Sequence, residues 1–193
     1  MKKILLILFF ILTLQNFSHA DDVRDFQIEG MSIGDSLLDY LNKNEIEESR
    51  HATNYKSKKF RTTTLKVPLK LYEVLRVSYK SNDKKYIVHG ISGIIKFETK
   101  INDCYEKKNE IVNDVKLLFK NIKEKNNIFS HPADSTGKSK ATMTTFRFAS
   151  FDIASVACIA YSKSMKEKRR VDHLRINVSS KEYEKWLVNE AYK

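Results

Sequence analysis

Proline is nearly absent from this chain of 193 residues: only Pro68 and Pro132 occur, so no proline-rich linker divides it. Cysteine is equally scarce. Cys104 and Cys158 are the whole complement, and without a C-x-x-C pair the sequence offers no dithiol redox motif. The histidines are dispersed, with neither H-x-x-x-H nor H-E-x-x-H spacing, so no zinc-site pattern is present. After the first fourteen residues no apolar run approaches membrane-spanning length.

What the chain does have begins at its N-terminus. Lys2 and Lys3 precede an unbroken apolar run from Ile4 to Leu14, and Ser18-His19-Ala20 places small residues at the −3 and −1 positions of a cleavage site. This is the layout of a secretory signal peptide, with an apolar core too short for a permanent anchor. The expectation is a signal over residues 1–20 and a single exported, periplasmic domain over 21–193. The 173 residues of that domain are enough for a real core. With two cysteines in an exported chain, one disulfide is possible, Cys104–Cys158.

The composition is basic. Residues 21–193 carry 33 Lys and Arg against 24 Asp and Glu. One reading is a preference for anionic partners such as lipid headgroups or acidic glycans. The other is the Lys, Asn and Ile usage of an AT-rich genome. Export argues against nucleic acid as a partner.

Apolar spacing gives the elements. Ser32 and Asp35 resemble a capping box, and Ile33, Leu37, Leu38 and Leu41 recur at helical spacing, predicting a helix over about 33–48. Phe60 to Val67, Tyr72 to Tyr79 and Lys85 to Phe97 read as strands, the last with a bulge at Gly90 or Gly93. A helix from about Cys104 to Lys125, capped by Asp103, buries Cys104, Ile111, Val115, Leu118, Phe119 and Ile122 and leaves Lys107 and Lys108 on a solvated face. Residues 126–142 read as an exposed loop. Strands at 144–148, 154–161 and 173–178 follow, with a basic loop, 162–170, before the last of them. Ser179 and Glu182 open a final helix with Tyr183, Trp186, Leu187 and Ala191 inward. The order α-βββ-α-βββ-α predicts an α+β fold, an antiparallel sheet with helices packed on one face.

Motifs that would carry chemistry are incomplete. Gly34-Asp35-Ser36-Leu37 resembles the signature of the GDSL esterases, which implies Ser36 as a nucleophile. The chain departs from that family: no Gly-x-Asn-Asp occurs, and no Asp stands three residues before any of His51, His89, His131 or His173. Ser135-Thr136-Gly137-Lys138-Ser139 matches only the tail of a Walker A loop, since Pro132 stands where its first Gly is required. Lys163, Lys166, Lys168, Arg169 and Arg170 cluster on one segment and are candidates for contact with an anionic lipid or glycan.

Gly30-Met31-Ser32-Ile33-Gly34-Asp35-Ser36-Leu37-Leu38-Asp39-Tyr40, Tyr86-Ile87-Val88-His89-Gly90-Ile91-Ser92-Gly93, Asp103-Cys104-Tyr105 and Ser180-Lys181-Glu182-Tyr183 together resemble exported proteins of streamlined, AT-rich marine alphaproteobacteria. That group carries no known activity, so the resemblance implies no functional residue. Gly30-Met31-Ser32 before a helix also resembles small outer-membrane assembly lipoproteins of the BamE type, whose lipidated Cys and Gly-x-Pro this chain lacks. The function expected from the sequence is a monomeric, non-catalytic binding or envelope-associated module. Its expected partners are anionic lipid, cell-wall glycan or an envelope protein, with no cofactor and no metal. The alternative is a small exported serine hydrolase using Ser36.

Overall fold

The computed structural model describes residues 22–98 and 100–193; the expected signal peptide and cleavage site lie outside the described residues. The protein is an α+β fold built on one seven-stranded antiparallel sheet, with spatial order β1-β2-β3-β7-β6-β5-β4. The strands are β1 (Phe60–Thr64), β2 (Val74–Lys80), β3 (Val88–Lys96), β4 (Lys123–Ser130), β5 (Lys140–Arg147), β6 (Ile153–Ala160) and β7 (His173–Ser179). The α-helices are α1 (Lys43–Glu48), α2 (Ile101–Leu118), α3 (Lys163–Glu167) and α4 (Lys181–Asn189). Among the described residues no helix is long and apolar enough to cross a membrane.

Strand alternation creates two unlike faces. Leu75, Val77 and Tyr79 of β2, Leu174, Ile176 and Val178 of β7, and Ala154, Val156 and Cys158 of β6 point to one side. There they meet Cys104, Val112, Val115 and Phe119 of α2, together with Val23, Ile28, Met31, Leu37 and Ile46 from the N-terminal segment. The Cys104–Cys158 disulfide (S–S 2.03 Å) fastens the first turns of α2 to β6 inside this core. Helix α4 lies on the opposite side. Its Tyr183 hydroxyl accepts from Ser78 Oγ at 3.1 Å, and its ring covers Gly90, where a Cβ would come within 3.0 Å of ring carbons. The helices therefore cover both faces, not one as the sequence suggested.

Three other expectations need correction. The helix expected over 33–48 is replaced by a short 3₁₀ turn, Leu37–Asp39, followed by α1. Gly34 adopts φ +96°, which a helix cannot contain, and the backbone instead pairs with the start of β3 (Gly34 N to Val88 O 2.9 Å, Leu37 N to Tyr86 O 3.1 Å). The true capping box is Asn42 with Glu45 at the start of α1. Residues 123–130, read as helix tail and loop, form β4. That edge strand is exposed on both sides, so its sequence KEKNNIFS shows little apolar alternation. Helix α2 begins at Ile101 and ends at Leu118. It buries Lys108, where solvent was expected, and leaves Leu118 exposed. The bulge at Gly90 is present: the register with β2 steps from Ser78↔Gly90 to Tyr79↔Val88, making His89 the extra residue. The final helix is capped by Ser180, whose Oγ accepts from Tyr183 N, and Tyr183, Trp186 and Ala191 are buried.

Candidate functional site

Leu75-Arg76-Val77 on β2 and Leu174-Arg175-Ile176 on β7 repeat one pattern. In each, the flanking apolar residues enter the α2 core, so the arginine must point to the other face. Arg76 opposes Ser92 on β3, and Ser92 in turn opposes Asn177 on β7, two residues beyond Arg175. The arginines thus converge diagonally across β3 on the floor of a cleft of about 480 Å³.

The walls of the cleft are held firmly. The 49–57 segment runs beside the β1 edge through Thr64 N to Ser49 O (2.9 Å) and His51 N to Thr62 O (2.7 Å), and is tied to the C-terminus by Lys56 N to Ala191 O (2.7 Å). Trp186 Nε1 donates to Ser57 Oγ at 2.8 Å, while Tyr55 packs edge-on against both Trp186 and Tyr192. His51, Tyr55 and Tyr192 thereby form one bank of the cleft, and Tyr183 and Leu187 of α4 border it too.

Electrostatically the floor is uncompensated. Neither Arg76 nor Arg175 has a carboxylate within ion-pair distance among the described residues, and the Nε of each is buried without a hydrogen-bond partner. Burial pushes both guanidiniums below the usual arginine pKa, and the Arg76 charge lowers that of Arg175 further. Burial likewise depresses His51, helped by the nearby Arg76 charge, so the imidazole adds no cation at neutral pH. Arg175 has one fixed partner: its Nη2 donates to His173 Nε2 (3.3 Å), whose other ring nitrogen donates to Val171 O (2.9 Å). His173 is itself packed on Tyr161, which meets the His131 ring edge-on. Two desolvated cations without counter-charge are costly unless a ligand supplies the anion. Guanidinium is the group best suited to accept a carboxylate or phosphate in two-pronged fashion.

The residues singled out from sequence are distributed as follows. Cys104 and Cys158 are joined. Lys163, Lys166, Lys168, Arg169 and Arg170 lie on α3 and the turn after it, so a turn of helix replaces the expected loop. All five are exposed, and Lys166 is occupied by the buried Asp172 carboxylate (2.7 Å). Arg170 is near enough to His131 to lower its pKa further, after burial and Arg175, and none of the five lines the cleft. Ser36 Oγ donates to Lys85 O (2.7 Å) and accepts from Leu38 N (3.1 Å); its proton rests on a backbone carbonyl rather than on a histidine. The Ser135–Ser139 stretch forms the β4–β5 turn, where the Asp134 carboxylate accepts from Ser139 and Thr136. Ser92 of the Gly90–Gly93 stretch lines the cleft.

His89 Nδ1 and Ser180 Oγ lie 3.0 Å apart, but Ser180 is the N-cap of α4 and neither residue lines the cleft. Among the described residues no three His, Cys, Asp or Glu side chains converge as a metal site would require. The arrangement is equipped to bind. Arg76 and Arg175 were missed because a charge on the non-core phase of a strand ordinarily means solvent; the repeated Leu-Arg-Val/Ile pattern was the available signal. No family model, no curated protein and no solved structure matches this chain.

Proposed function

We propose that the protein is a non-catalytic binding module of the cell envelope that takes an anionic ligand in the cleft above β2, β3 and β7. The observation that carries this reading is the half-buried pair Arg76 and Arg175, each with a buried, unpartnered Nε and no carboxylate partner, on a cleft floor. The Cys104–Cys158 disulfide supports an oxidising compartment, as the signal-like N-terminus does. The exposed cations Lys163, Lys168, Arg169 and Arg170 support an accessory role, drawing anions toward the Arg175 end or holding the protein against an anionic envelope surface.

The test compares thermal melting in sodium phosphate and sodium citrate with melting in sodium chloride at equal ionic strength. Phosphate or citrate should raise the midpoint of the native protein by several degrees. Arg76→Met with Arg175→Met should remove that response without lowering the midpoint in chloride, because a desolvated charge has been replaced by an apolar chain. An unchanged anion response in the double variant overturns the assignment of the cleft.

A further inference from the structure

The lining of the cleft changes character along its length. At one end stands Arg175, while Arg76 reaches in from β2, level with Ser92 and Asn177. From Arg175 the same face of β7 continues through Asn177 to Ser179, a span of about 13 Å at the usual strand rise. Asn177 Nδ2 donates to Ser155 Oγ (3.3 Å), and Ser92 sits across from it on β3, so the middle of the floor is a patch of hydroxyls and one amide. At the far end Glu184 of α4 accepts from Ser179 Oγ and presents the one carboxylate of the lining.

We propose, on the reading that the cleft binds an anion, that its ligand is an acidic sugar: a single oxyanion group, carboxylate or phosphate, on a hydroxylated pyranose-sized body. The oxyanion lies on Arg76 and Arg175, and the ring hydroxyls run along Ser92, Asn177 and Ser155 toward Glu184. Three features fix this class. Neither guanidinium is within ion-pair distance of Glu184, which on the side of Ser179 repels a second anion and accepts from hydroxyls. The middle of the floor offers both donors and acceptors, which an alkyl chain would leave desolvated and unpaired. Tyr55 and Tyr192 offer ring surface beside a floor that is otherwise polar, suited to the C–H faces of a sugar. The cleft volume of about 480 Å³ is within the range of small-molecule sites and leaves no room for a long polymer to be engulfed.

The experiment is a calorimetric titration of the full folded protein with glucuronate, galacturonate and glucose 6-phosphate. Glucose, cyclohexanecarboxylate and inorganic phosphate serve as comparators. At least one acidic sugar should bind ten-fold or more tightly than all three comparators, and whether it is a uronate or the phosphate ester identifies the source of the oxyanion. Asn177→Leu should weaken the acidic sugar about ten-fold and leave inorganic phosphate unchanged. Ser155→Ala, a milder change, should weaken the sugar in the same direction if Asn177→Leu fails to fold. Cyclohexanecarboxylate or phosphate binding as tightly as every acidic sugar overturns the sugar assignment while anion binding stands. Failure of every anion to bind overturns both readings.

Discussion

Leu174 and Arg175 are neighbours in sequence and meet opposite environments. Leu174 enters a core shared with α2, the N-terminal segment and the disulfide; Arg175 enters a cleft with one neutral histidine for a partner. The contrast extends to the cations of the two faces. On the packed face, Lys108 donates to Thr144 Oγ1 (2.7 Å), Thr144 passes a hydrogen bond to Asn126, and the Glu124 carboxylate lies near enough to favour the charge, so the amine is accommodated by groups of the fold itself. On the open face, Arg76 and Arg175 keep unpartnered Nε atoms beside empty volume. A buried charge supported from within belongs to the architecture, whereas one left without support beside a cleft points to something from outside.

The hardest test of that contrast breaks the packed face. Cys104→Ala with Cys158→Ala opens a loop of 54 residues and should lower stability by about 4 kcal/mol on the chain-entropy relation, read by urea denaturation. Folded double variant should keep the stabilisation by phosphate and citrate, since the cleft is built from the other side of the sheet.

A smaller effect sharpens the distinction between the cations. Lys108→Met should stabilise the protein by about 1 kcal/mol and leave the anion response intact, in contrast to the arginine pair. Burial lowers the Lys108 pKa from 10.5, so the folded state holds that proton less tightly than the unfolded chain. The native penalty is therefore full below the folded pKa and fades as pH rises toward 10.5. The gain from Lys108→Met should shrink over that alkaline range in melts measured at stepped pH.

The smallest effect concerns Tyr79, whose hydroxyl is buried in the packed face without a partner. Tyr79→Phe should raise stability by about 0.5 kcal/mol, detectable as a shift in the urea midpoint with unchanged slope. A loss of stability or of anion response there would mean that the packed face, too, holds a polar function.

The sequence made the packed face readable and the open face nearly invisible. Cys104, Val115 and Phe119 recur at helical spacing, and Val156 and Cys158 sit in an apolar strand, so α2 and β6 follow from periodicity and their bridge from the expectation of export. The final helix was legible from Tyr183 and Trp186. The N-terminal region misled because Ile33, Leu37 and Leu41 keep a helical interval while Gly34 takes a left-handed conformation and the backbone pairs with Tyr86 and Val88. Tertiary hydrogen bonding there overrides local pattern. β4 carries no alternation because neither of its faces is packed. The cleft escaped for a different reason: Arg76 and Arg175 are 99 positions apart, and only the β2-β3-β7 register brings them together. The basic cluster at 163–170 was visible because it is local in sequence.

The strand order also sets a timetable for folding. β1-β2-β3 and β4-β5-β6 are each contiguous in sequence and can form as local meanders, but neither touches the other until β7 arrives between β3 and β6. β7 and α4 come after both meanders in the chain, so the two half-sheets each keep an open edge until β7 docks between them. Until that moment Arg175 is missing from beside Arg76, and the cleft does not exist.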